Sequence, residues 1–71
     1  MSDSVYKIIE LVGTSDVSFE QAAKNAVETA SKSLKDLRIA EIKQLDLKVE
    51  NGVVVAYRAR VNLSFRYETD D

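Results

Sequence analysis

Leu45-Asp46-Leu47-Lys48-Val49-Glu50-Asn51-Gly52-Val53-Val54-Val55-Ala56-Tyr57-Arg58-Ala59-Arg60 is the stretch that decides the fold. Asn-Gly between two strand patterns favours a two-residue type I′ hairpin, because both turn residues must take positive φ. Beyond the turn the alternation is clean. Val55, Tyr57, Ala59, Val61, Leu63, Phe65 and Tyr67 fall on one face, and Arg58, Arg60, Asn62, Ser64, Arg66 and Glu68 on the other. A strand from Val53 to about Glu68 is expected, with its odd face as the bed for a helix. Upstream, Arg38 to Glu50 reads as its partner. Ala40 and Ile42 are apolar on one parity, and Leu45, Leu47 and Val49 on the other. A change of face inside one strand requires a bulge or a bend, placed near Lys43-Gln44.

Working outward, Ser18-Phe19-Glu20-Gln21 has the spacing of a capping box. In that arrangement Ser18 accepts from the Gln21 N–H and Gln21 reaches back to Ser18. Phe19, Ala22, Ala23, Ala26, Val27, Ala30 and Leu34 then recur at the helical period. Glu20→Lys24 and Glu28→Lys32 stand in the favourable i,i+4 order on the opposite face. The apolar stripe is mostly alanine, so the helix can lie close against its sheet. It is expected to end near Lys35 or Asp36 without a glycine cap. Val5 to Val12 is β-branched and aromatic and reads as a first strand, apolar on both faces, which Gly13-Thr14-Ser15-Asp16 breaks.

Seventy-one residues make one domain, 1–71, with no room for a second core. A chain this short buries only about 60% of the surface its unfolded form exposes, and small scaffolds need a staple. With no cysteine there is no disulfide and no thiolate zinc site. With no histidine the commonest metal ligand and general base is absent. Partner subunits are the staple that remains. The third strand is also too long for one helix to cover. A monomeric hairpin projecting into water would leave Phe65, Tyr67 and the two-sided first strand exposed.

The net charge of −2, with both signs interspersed, speaks against nucleic-acid binding. No apolar run approaches the roughly 20 residues needed to span a bilayer. Met1-Ser2-Asp3-Ser4 lacks the basic and apolar regions of a signal peptide, so a cytoplasmic protein is expected. Thr14, Ser15 and Asp16 have no histidine or plausible lysine base beside them and read as turn residues. Tyr6, Tyr57 and Tyr67 read as core or interface. No catalytic residue is assigned, and no enzyme activity is expected. Arg58, Arg60 and Arg66 line one face of the third strand. They suit either an anion or phosphate site or inter-subunit pairing with Glu41, Glu68 or Glu10.

Several phrases resemble the dodecin family. Tyr6-Lys7-Ile8-Ile9-Glu10-Leu11-Val12-Gly13-Thr14-Ser15 is similar to its opening strand, and Phe19-Glu20-Gln21-Ala22-Ala23 to its helix start. Glu41-Ile42 and Tyr57…Val61-Asn62-Leu63-Ser64-Phe65-Arg66 are similar to its later strands, so the likeness runs from about Val5 to Glu68. The resemblance implies an α+β fold of order β-α-β-β, a three-stranded antiparallel sheet wrapped around one helix. It also implies assembly into a hollow sphere of twelve subunits. Many dodecins hold flavins as stacked pairs between subunits, for storage or buffering rather than catalysis.

Two positions depart from the flavin-binding pattern. Where those dodecins carry a ring-stacking tryptophan, this chain has Ile39; where they carry a glutamine that hydrogen-bonds the ring's polar edge, it has Arg58. An aliphatic cannot reproduce aromatic stacking, and arginine lacks the acceptor that glutamine offers. The ligand-contacting residues implied are Ile39, Glu41, Arg58 and Arg60. With a two-residue turn, Ile39 and Arg58 fall on the same face, opposite the helix, provided the bulge does not change the pairing.

Leu37-Arg38-Ile39-Ala40 and Tyr57-Arg58 resemble a subgroup without the tryptophan that binds calcium. Calcium takes six to eight oxygens. The candidate carboxylates are Asp3, Asp16, Glu20, Asp46, Glu50, Asp70 and Asp71, with no recognisable ligand spacing. A flavin (FMN or riboflavin) in an altered pocket, calcium between subunits, and a purely structural or partner-docking oligomer all remain open on the sequence.

Overall fold

The computed structural model describes residues 5–67. Strand β1 (Tyr6–Ser15), helix α1 (Phe19–Ser31), β2 (Leu37–Glu50) and β3 (Val53–Arg66) follow in the expected order. All three strands are antiparallel, arranged β1-β3-β2, so β3 is central. Asn51 and Gly52 both take positive φ, 52° and 75°, and Glu50 pairs with Val53 across them. The two-residue hairpin is therefore present.

The β2–β3 ladder carries more irregularity than the expected single bulge. Pairing jumps from Ile42↔Val61 to Gln44↔Arg60, which leaves Lys43 as the extra residue where the change of phase required one. A second jump, from Lys48↔Ala56 to Val49↔Val54, makes Val55 a bulge residue on β3. Val55 is thus removed from the regular helix-facing row in which the alternation had put it. A third jump leaves Arg38 unpaired in the ladder. The Val55 and Lys43 bulges lie on opposite strands, so the register is shifted by one between them and restored beyond Lys43. Between them Leu45 and Leu47 oppose Ala59 and Tyr57 on the helix side, and Ala40 and Ile42 keep that side beyond Lys43.

Helix α1 rests on this face. Ala22, Ala26 and Ala30 form a buried cluster with Ala59, Val61 and Leu63, flanked by Ile9, Leu11, Ala23, Val27, Leu34 and Leu37. Close approach sets the role of Gly13. A Cβ there would lie 2.0 Å from the Ala22 carbonyl oxygen and 3.0 Å from the Ala26 Cβ. Gly13 therefore does not break β1. The strand runs on to Ser15, with Gly13 opposite Ala59, because the missing side chain is what lets the helix seat.

The helix start keeps half of the capping box. Ser18 Oγ accepts from the Gln21 N–H at 3.0 Å. The Gln21 side chain does not reach back; it donates to Asn25 Oδ1 at 2.7 Å, and Asn25 Nδ2 donates to the Thr14 carbonyl at 3.0 Å. That chain of bonds ties α1 to the end of β1. The helix stops at Ser31, four residues before the earlier of its two expected ends, Lys35 and Asp36. Leu34 N–H bonds back to the Ala30 carbonyl, and Asp36 at φ 59° turns the chain into β2 without a glycine. Aspartate tolerates this left-handed conformation better than most residues. Glu20 and Lys24, and Glu28 and Lys32, form no ion pair. Among the described residues, no helix is long and apolar enough to cross a membrane.

Candidate functional site

The face of the sheet turned away from α1 carries the residues singled out in the sequence. Antiparallel register sorts them into cross-strand rows, since directly opposed residues point to the same side. From the hairpin side inward, the rows are Thr14–Arg58–Asp46, Val12–Arg60–Gln44, Glu10–Asn62–Glu41 and Ile8–Ser64–Ile39. Ile39, Glu41, Arg58 and Arg60 do share one face, and the compensating bulges are why. They are not brought to one point. Arg58 and the Ser64 opposite Ile39 are six residues apart on β3. At roughly 3.3 Å per residue this is about 20 Å along the strand.

At one end of the face, Arg58 and Asp46 form a two-pronged ion pair. Arg58 Nε donates to Asp46 Oδ1 at 2.7 Å and Nη2 to Oδ2 at 2.9 Å. The side chains are 38% and 40% exposed, so water screens the pair. The hydrogen bond from Arg58 holds the Asp46 carboxyl below its usual range; partial desolvation opposes this, and the charges of Arg58 and Arg60 assist it. The same hydrogen bond raises Arg58. The pairing expected of the arginines with Glu41, Glu68 or Glu10 was between subunits, as the alternative to an anion site. Within one chain the partner of Arg58 is Asp46, which the Val55 bulge moves from opposite Tyr57 to opposite Arg58. Glu68 lies outside the described residues. Arg60, two residues along the same face and opposite Gln44, takes part in no ion pair among the described residues.

At the other end, Ile39 is 56% exposed and Ile8 58% exposed, on either side of Ser64. The two isoleucines make an aliphatic floor, of which sequence reasoning found only Ile39. The signal for Ile8 was the two-sided apolar character of β1. No aromatic residue stands in this row. Phe65 lies in the helix-side row with Lys7 and Leu37, and Tyr57 packs edge-on against Phe19 with ring centroids 5.1 Å apart. The row therefore presents an exposed aliphatic surface and does not supply the aromatic stack of a flavin site.

Among the described residues, the expected metal carboxylates do not converge. Asp3, Asp70 and Asp71 lie outside the described residues. Asp46 is engaged by Arg58, and Glu50 pairs with Lys48 at 3.7 Å. Among the described residues, no group of three or more His, Cys, Asp or Glu is placed to hold a metal ion.

A family profile described as Dodecin matches residues 5–68. This chain belongs to the dodecin family. It is 41% identical over 63 residues to a calcium dodecin of Mycobacterium tuberculosis, covering 89% of each chain. Its fold is similar to that of a dodecin from Streptomyces coelicolor, with TM-score 0.89, 37% identity and coverage of 99% of this chain and 100% of that one. It is also similar to a solved Mycobacterium tuberculosis calcium dodecin, described as a calcium-chelating antigen with a novel calcium-binding site. There the TM-score is 0.82 at 38% identity, over 96% of this chain and 97% of that one. The β-α-β-β order and the antiparallel sheet are thus the dodecin fold.

Proposed function

We propose that this dodecin is the subunit of a non-catalytic, self-assembling shell that binds a small flat ligand between copies. The site is an altered version of the family's flavin site, with Ile39 and Arg58 in place of tryptophan and glutamine. One observation carries the reading. Ile39 and Arg58 share a face that the chain's own helix leaves uncovered, yet stand about 20 Å apart along it. A ligand that touches both kinds of residue needs the outer faces of two copies, each contributing a different end. Ile8 and Ile39 would cover the ring by apolar burial, and the arginine end would meet its polar edge.

The test is a flavin fluorescence titration on assembled protein. Twelve copies of a 7.9 kDa chain should elute at about 95 kDa. Saturable quenching near one flavin per subunit, weaker in Ile39→Ala, supports the reading. Absence of quenching at high micromolar protein removes it.

A second reading has its own support. The 41% identity to a calcium dodecin over 89% of the chain favours a calcium site formed between copies. Glu10 and Glu41, flanking Asn62 in one row, are outer-face carboxylates that no ion pair engages among the described residues. This reading expects the melting temperature to fall on adding a chelator and to recover with calcium, with no response to flavin.

A further inference from the structure

We infer that Asp46 is a positioning residue that sets charge selectivity on the outer face. By clamping Arg58 it leaves Arg60 as the anion-binding group of that end, fitted to a ligand bearing a phosphate-like oxyanion. The inference rests on the reading that this face binds a ligand, and adds which chemical group is recognised there and by which residue.

A guanidinium has five N–H groups. In Arg58, Nε and Nη2 are turned to Asp46, and both carboxylate oxygens are used in return. The planar fork is thereby fixed in direction and its charge is matched by one carboxylate. An oxyanion arriving at Arg58 has to compete with Asp46 for the edge that suits a two-pronged contact. Arg60 is different. It stands two residues on, on the same face, with Gln44 opposite on β2 and Val12 opposite on β1. Neither neighbour is a carboxylate, and among the described residues no ion pair holds it. Glu10 and Glu41 belong to the next row, beside Asn62.

The three charges, Arg58, Asp46 and Arg60, therefore sum to one net positive charge, located on Arg60. The field of Arg60 already reaches Asp46, so the group is compact. One cation with an amide donor across from it in Gln44 suits one oxyanion group. Two free arginines would suit a more highly charged one. Asp46 thus acts through Arg58, and removing its charge converts the first arrangement into the second.

The test labels the arginines of the assembled protein with 15N and titrates inorganic pyrophosphate while following the Nε–Hε signals. In the wild type, the Arg60 signal is expected to move saturably while that of Arg58 stays. In Asp46→Asn both move, and the apparent affinity rises about tenfold, the worth of one added charge-assisted hydrogen bond. Arg60→Gln removes the wild-type response and provides the comparison should Asp46→Asn not assemble. The inference is overturned if Arg58 responds in the wild type, if Arg60 responds at no concentration, or if Asp46→Asn leaves the affinity unchanged. Parallel titrations with riboflavin and FMN separate the two claims. If neither flavin binds but pyrophosphate moves Arg60, the flat-ligand reading fails and the assignment of Arg60 stands. If riboflavin binds but pyrophosphate moves nothing, the assignment fails alone.

Discussion

Asp46 shows how one residue couples local geometry to solution behaviour. Its carboxyl is held below the ordinary value of 3.8, chiefly by the hydrogen bond from Arg58. A carboxylate depressed in the folded state stabilises that state above its ordinary range, and the contribution disappears as pH falls through the lowered value. The raised Arg58 titrates far above any working pH and adds no dependence of its own. The expected result is a melting-temperature gap between wild type and Asp46→Asn that is full from about pH 5 upward. The gap should close as the pH is taken below 3.8. Thermal melts of both proteins from pH 2.5 to 7 test this, and a gap that widens on acidification would contradict it. The pair is exposed enough that the gap should be small and should shrink further in salt.

At the scale of elements, two glycines separate two kinds of constraint. Gly52 sits in the hairpin turn at φ 75° with nothing within 4 Å of an added Cβ, so Gly52→Ala costs only backbone strain, about 1–2 kcal/mol. Gly13 is crowded instead: a Cβ would meet the Ala22 carbonyl oxygen, a backbone atom that cannot swing aside. Gly13→Ala should cost at least the roughly 1–3 kcal/mol of ordinary overpacking, by lifting α1 from β1. Chemical denaturation of the two variants should rank them in that order.

The same pair marks what the sequence made legible. Asn51-Gly52 disclosed its turn because the conformation is local, and the alanine period disclosed the helix for the same reason. Gly13 was read as a strand break because what it makes room for is 9 residues away, in Ala22. The Val55 bulge was missed though its trace was present. Without it, a straight ladder from Glu50↔Val53 puts Leu45 opposite Arg58 and Leu47 opposite Ala56, an apolar row on the polar face. That conflict was itself the signal, and it also conceals the Asp46–Arg58 pair. At the site, Ile39 and Arg58 share one face, as a two-residue turn implies when the pairing is unchanged, because the unforeseen Val55 bulge cancels the one at Lys43. Their separation along the strand follows from register, which only the full ladder reveals.

For the whole molecule, the mismatch of lengths is decisive. Helix α1 has 13 residues, about 20 Å at 1.5 Å each, whereas the 14-residue β2 and β3 reach about 46 Å. The described residues measure 55 × 20 × 15 Å with a radius of gyration of 14.8 Å, against about 11 Å for a compact chain of similar length. The excess is the hairpin end, where Leu45, Leu47, Val49, Val53 and Val54 are all exposed. Phe19, edge-on to Tyr57, marks where the helix's cover begins. Beyond that point the helix covers none of the apolar side chains, and contact with other copies of the chain would remove them from water. Each such side chain is worth roughly 1.5–3 kcal/mol when fully buried, so the ribbon holds a large share of the available hydrophobic free energy. Stability should therefore depend on assembly, and the melting temperature should rise with protein concentration. Leu47→Glu puts a charge on the uncovered helix-side face while leaving the Leu63 and Val61 core intact. Light scattering coupled to size exclusion should show it shifted to small species, melting below wild type and with weaker concentration dependence. A Leu47→Glu protein that still elutes as the full assembly, with an unchanged melt, would mean that the hairpin end is not where the copies meet.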